Sequence, residues 1–162
     1  ILTAPLSAME ISLAYIIGGT VRGTVNGILV MLLGVVLIDM PVHQPLATIG
    51  FIVMVSWSFA SMGLVLGQLS DSWDELAMMQ NFFLTPLSFL GGVFYSVNML
   101  PDWAQTLSFF NPIYYMINGI RFTILGIADS PPMTSFIMAL IMTIFFTVSA
   151  IMLMHSGRKI KQ

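Results

Sequence analysis

Charge is distributed so unevenly along this sequence that three long stretches carry no ionised side chain at all. Between Asp39 and Asp71 lie 31 residues without Asp, Glu, Lys or Arg, between Glu75 and Asp102 lie 26, and between Asp129 and Arg158 lie 28. A helix needs about 20 apolar residues to cross a hydrocarbon core about 30 Å thick, so each gap accommodates a complete span. The expected spans cover residues 46–67, 78–97 and 133–154. A fourth, over residues 20–38, has Arg22 at its start; if that end sits among the headgroups, the guanidinium snorkels to water and the span survives. The runs are unbroken and lack the ten-residue alternation of a membrane barrel, which makes them helices. The expected fold is all-α: a polytopic membrane helix bundle with four spans and additional short interfacial or re-entrant helices.

Composition excludes the main alternatives. Only 7% of the 162 residues are charged, against roughly 25% in an ordinary soluble domain. Mean hydropathy is +0.95. A net charge of -2 from five bases and seven acids leaves no basic surface for nucleic acid, so no nucleic-acid partner is expected. With no cysteine, thiolate nucleophiles and thiolate metal sites are ruled out for these residues. The chain opens Ile1-Leu2-Thr3 without an initiator Met, the expectation for a fragment of a longer protein.

Arg158, Lys159 and Lys161 directly follow the last span and form the densest basic cluster, which predicts a cytoplasmic C-terminus. An even number of spans puts the N-terminal segment on the same side. The turn 39–45 and the segment 98–132 then face outward, with Arg121 as one dissenting charge. The acidic turn 70–75 faces inward, where its acids weigh little on orientation. That turn, containing Asp71, Asp74 and Glu75, reads as a hydrophilic connection and a possible contact for a cytoplasmic partner rather than as a catalytic carboxylate set. His43 and His155 are far apart and belong to no H-E-x-x-H pattern, so no metal site is expected.

Ser7 and Glu10 stand at capping-box spacing, which predicts a helix starting near Ala8 and loosening at Gly18-Gly19. Its position, on the membrane surface or continuous with the span, is open. Arg22 and Asn26, about one turn apart, could share a face: the pair is either snorkelling at the boundary or lining a substrate route or ATPase contact. Gly19, Gly23 and Gly27 repeat every four positions and would let a neighbouring helix approach closely, for packing or for gating.

Residues 98–132 are more than a plain loop. Pro101 opens a short helix with Asp102 and Trp103 in its first turn, Asn111-Pro112 breaks it, and an apolar stretch then ends at Gly126. Neither piece is long enough to span, so both either lie at the interface or dip in where protein shields their ends. A cap on the bundle and a lid over a substrate path are the two readings.

Three elements together resemble the permease family called ABC-2 type transporters. They are Leu2-Thr3-Ala4-Pro5-Leu6-Ser7 with Glu10; the run from Asn81-Phe82-Phe83-Leu84-Thr85-Pro86 to Gly91-Gly92-Val93-Phe94-Tyr95; and Leu100-Pro101-Asp102-Trp103 leading into Phe110-Asn111-Pro112-Ile113-Tyr114-Tyr115, Gly119-Ile120-Arg121 and Leu125-Gly126. Their order and spacing are similar to the bacterial inner-membrane branch. The resemblance implies that residues 1–162 are the C-terminal portion of a six-helix transmembrane domain, spans three to six. It implies a second permease copy, surrounding lipid, and an ATP-binding cassette ATPase on the cytoplasmic face. Thr3, Pro5, Leu6, Ser7 and Glu10 would then form the ATPase-coupling segment. Arg22, Asn26, Pro101, Asp102, Trp103, Asn111, Pro112 and Arg121 are the candidate route or gate. Relatives often carry a Lys a few positions after the equivalent of Glu10, and this chain does not.

No G-x-x-x-x-G-K-[ST] pattern occurs, and no lysine precedes Lys159. These residues are therefore not expected to be their own ATPase, and the resemblance implies a permease subunit of an exporter, not an enzyme, in the bacterial inner membrane. It would hold no cofactor itself, with ATP and Mg bound on the partner subunit. A noncatalytic scaffold or channel component is the alternative, and a lipid-modifying membrane enzyme is disfavoured because the charges are dispersed.

Overall fold

The computed structural model describes residues 7–156, which are helical with no strand among them. Helix α1 (Ala8–Ile38) begins with the capping box: Glu10 N–H donates to Ser7 Oγ at 3.2 Å and Ser7 N–H donates to Glu10 Oε2 at 2.7 Å. Two orphan donors of the first turn are thereby satisfied. The helix then runs for 31 residues, closing at Asp39 in the left-handed conformation at φ 48°. The expected loosening at Gly18-Gly19 is corrected by this, and of the two placements left open for the first helix the structure has the one continuous with the span over residues 20–38. A glycine inside a helix costs about 1 kcal/mol relative to alanine, and here close packing offsets that cost.

Helix α2 (Pro45–Leu69) lies antiparallel against α1. A Cβ on Gly19 would stand 2.8 Å from the Ala60 side chain, one on Gly23 2.9 Å from Ser56, and one on Gly27 2.7 Å from Ile52. The glycine track is thus the surface on which α2 sits, and the pairs fix the register: each step along α1 is matched by a step back along α2. Helix α7 (Pro132–His155) completes a three-helix core. Ile16, Val65 and Ala150 pack near one end, and Phe51 and Ala139 pack with Met116 toward the other. Polar side chains bind α2 to α7 inside this apolar setting: Trp57 Nε1 donates to Thr147 Oγ1 at 3.0 Å, and Ser61 Oγ lies 3.1 Å from the same hydroxyl. Such bonds stabilise helix association where lipid supplies no hydrophobic drive.

All three helices are long and apolar enough to cross a membrane. The start of α1 and the ends of α2 and α7 share one face of the bundle, called here the termini face. The opposite, cap face carries the 39–45 turn and the connection into α7. The apolar stretches 46–67 and 133–154 lie within α2 and α7.

The stretch 78–97 departs from expectation, because it is not one helix. Helix α3 (Trp73–Met79) passes through a π-helical turn (Gln80–Leu84) into α4 (Thr85–Leu90), and the chain then bends at Gly91-Gly92. Pro86 is the local cause. It has no N–H for the Phe82 carbonyl and its ring crowds that carbonyl, and a π turn relieves such a conflict within a helix. Thr85 N–H instead reaches five residues back to the Gln80 carbonyl. Gly92, at φ +80°, then turns the chain sharply.

Helix α6 (Pro112–Leu125) packs on α2 and α7. A Cβ on Gly119 would overlap the Phe51 ring. Gly119→Ala is therefore expected to destabilise the protein by about 1–3 kcal/mol through overpacking, read by unfolding in detergent. Combining it with Phe51→Ala should cost less than the sum of the two single changes.

Candidate functional site

Residues 98–132 contain two helices too short to cross: α5 (Asp102–Phe110) and α6, of 9 and 14 residues. At 1.5 Å per residue they extend about 13 Å and about 21 Å. Pro112 and Ile113 at the start of α6 line an apolar cleft with Ser58, Phe59, Met142 and Phe146, the middle of α2 and α7. The end of α6 meets the cap-face turn, where His43 N–H donates to Ile124 O at 2.8 Å and Gln44 N–H to Thr123 O at 2.9 Å. The pair thus descends to mid-depth and returns. Of the two expected placements, the structure has the dipping one.

A chain reversal at that depth must satisfy its own backbone groups. Asn111 does this at the apex. Its Oδ1 accepts from Ile113 N–H at 3.0 Å, its Nδ2 donates to the Leu87 carbonyl, and its own N–H donates to Ser108 O at 3.0 Å. Pro112 follows at the first turn of α6, where its missing N–H leaves no bond unmade. Ser108 Oγ adds a bond of 2.8 Å to Leu90 O. Asn111 is 6% exposed, so these bonds have little competition from water.

Nearer the cap face, Arg121 and Asp129 form an ion pair with Nη1 and Oδ2 2.7 Å apart, their side chains 19% and 6% exposed. Arg121 Nη2 also donates to the carbonyls of Gly92 and Tyr95, while Asp129 accepts from Ser96 Oγ at 2.6 Å and Val97 N–H at 3.0 Å. Asn118 closes the network: its Oδ1 accepts from Asp129 N–H at 2.7 Å and its Nδ2 donates to Ser135 Oγ at 2.8 Å. Five segments meet here: the end of the α4 turn, the 96–99 turn, α6, the loop before α7, and α7 itself. Arg121 therefore acts as a clamp. Asp129, its partner, and Asn118, which holds the Asp129 backbone, are not found by sequence reading, because no spacing rule joins Arg121 to an acid eight residues on across a helix end.

The other candidate residues are dispersed. Pro101 and Asp102 start α5, exposed, with Trp103 68% exposed beside them. Ser7 and Glu10 cap α1, and Thr3, Pro5 and Leu6 lie outside the described residues, as do Arg158, Lys159 and Lys161. Arg22 and Asn26 are exposed on α1, which packs on α2 and α7 rather than on α6. Arg22 does not stand at the start of a span. The contact of Gly23 with Ser56 puts it level with the centre of α2. A charge at a helix centre in the bilayer costs about 2.5–3.5 kcal/mol on insertion scales, so snorkelling at a boundary does not account for it.

The ABC-2 type transporter family profile matches residues 1–125, and the chain belongs to that family. It is 35% identical over 161 residues to the inner membrane transport permease YadH of Escherichia coli K12, covering 99% of this chain and 63% of that protein. Nodulation protein J of Rhizobium leguminosarum bv. viciae is 36% identical over 75 residues, 46% of this chain and 29% of its own. The chain thus spans under two thirds of the length of the curated relatives it matches. No solved structure matches it.

Breaking one side of a buried ion pair costs about 3–5 kcal/mol, because the other charge is left uncompensated. Arg121→Ala and Asp129→Ala should each destabilise by about that amount, and the double variant by less than their sum. Unfolding measurements on the four members of the cycle check this.

Proposed function

We propose that this chain is part of the permease subunit of an ATP-binding cassette exporter in a bacterial inner membrane. The observation that carries the reading is the family match over residues 1–125 on an all-helical membrane bundle. Likeness to a protein named as an inner membrane transport permease supports the location. In this reading the termini face is cytoplasmic, a second permease copy completes the conduit, and a separate subunit binds ATP and Mg and hydrolyses the nucleotide.

The chain's own residues supply the mechanical part. Ser7 and Glu10 lock the first turn of α1, so a displacement applied there by an ATPase moves a helix of 31 residues as a unit. The Gly19, Gly23 and Gly27 contacts pass that motion to α2. Trp57, Ser61 and Thr147 pass it on to α7. The clamp at Arg121 and the apex at Asn111 hold the re-entrant pair in shape while the helices around it move. Pro101, Asp102 and Trp103, exposed at the start of α5, shape the cap-face mouth of the conduit, and outward movement of cargo follows from placing that mouth outside.

The test is purification of the intact parent in mild detergent with mass spectrometry of copurifying chains and a vanadate-sensitive ATPase assay. A stoichiometric cassette ATPase is expected. Reproducible absence of one from a folded, dimeric permease would overturn the ATP-driven reading and favour a scaffold or channel component. Glu10→Ala removes half of the capping box and leaves the Ser7 N–H without its partner at the start of the helix. It should lower transport per ATP hydrolysed in reconstituted vesicles while leaving copurification of the ATPase intact.

A further inference from the structure

We infer that the face of α1 bearing Tyr15, Arg22 and Asn26 is covered by a membrane helix from the permease outside residues 1–162, one that presents a carboxylate to Arg22 at mid-depth. The inference concerns assembly within the membrane and stands whether or not ATP drives transport.

Depth comes first. The contacts Gly19 with Ala60, Gly23 with Ser56 and Gly27 with Ile52 place Arg22 level with Trp57, the middle residue of Pro45–Leu69. By the same register Glu10 is level with Leu69, twelve residues and about 18 Å of helix axis from Arg22. A guanidinium on its three-carbon stem does not cover that distance, so Arg22 has no route to the headgroups along its own helix.

Partners come second. Arg22 and Asn26 are exposed, and no hydrogen bond or ion pair links either to another described residue. Tyr15, two turns back from Arg22, is 67% exposed. Charged side chains within spans pair with one another or face a polar interior. A second copy of these residues offers no counter-charge at this level. Glu10 and Asp39 bound α1, Asp71, Asp74 and Glu75 follow the end of α2, Asp102 opens α5, and Asp129 is taken by Arg121. The carboxylate must come from elsewhere.

Room comes third. A Cβ on Gly18, one turn before Arg22, would meet nothing within 4 Å, so a helix can approach the backbone closely beside the charge. Chain is available as well, since YadH extends beyond the matched region by more than a third of its length.

The experiment uses the full-length permease in its native membrane. Arg22→Glu is expected to lower the assembled permease in the membrane at least tenfold, and Arg22→Lys to retain most of it. Changing the Asp and Glu residues of the remaining spans to Arg one at a time, in the Arg22→Glu background, should restore assembly at one position only. Because residues 1–162 contain no cysteine, Asn26→Cys reports on the same face without disturbing the charge. It should resist a charged, membrane-impermeant thiol reagent and cross-link to a cysteine placed near the rescuing position. Modification by that reagent would overturn the inference in favour of a water-filled route. Normal assembly of Arg22→Glu, or absence of any rescuing position, would overturn it as well.

Discussion

The ion pair between Arg121 and Asp129 is the point on which the irregular part of this molecule depends. Straight apolar helices satisfy their own backbone and need little help to stand in a membrane. A segment that bends at Gly92, turns again at residues 96–99, dips to Asn111 and returns leaves many carbonyls and amides exposed, and each must find a donor or acceptor within the protein. Arg121 supplies several donors from one rigid fork, and the Asp129 carboxylate accepts from four donors at once. Opposite charges hold the centre of the network, and neutral side chains such as Asn118 and Ser96 extend it outward.

Rigidity is unevenly shared as a result. The side-chain hydrogen bonds that other helices make onto the α3–α4 rod fall on its later half, at Leu87, Leu90 and the Gly92–Tyr95 turn. The earlier half, before the π turn, is tied mainly to its own entry loop through Ser72 and Glu75. The seam between the two lies at Gln80–Leu84. Helix α1 is the opposite case: one unbroken rod, laid on α2 along its glycines.

Much of this was legible in the sequence, for identifiable reasons. The Ser7–Glu10 box, the Gly19–Gly23–Gly27 track and the break at Asn111-Pro112 are local signals, each read within a few residues, and each has its expected structural role. Failures came where a local signal competed with packing. Gly18-Gly19 reads as a weak point until α2 is laid against it. Pro86 sits inside an apolar run that hydropathy alone treats as one span, and the π turn it induces leaves no trace in composition. An expected span start at residue 20 puts Arg22 at a boundary, whereas its level along the bundle follows from the contacts of α1 with α2. The pairing of Arg121 with Asp129 needs the whole return path of the chain. Roles for Thr3, Pro5, Leu6 and the C-terminal basic cluster fall outside what the described residues address.

The half-span pair has a mechanical consequence for the surrounding lipid. At the level of Phe51 and Ala139 a cross-section of these residues cuts α1, α2 and α7 and adds α6, whereas at the level of Ile16 and Ala150 the same cut has lost α6. Among the described residues, α6 therefore adds cross-section toward the cap face and none toward the termini face. Where these residues face lipid they present a wedge rather than a cylinder, so a change in bilayer curvature would act as a load on the re-entrant pair.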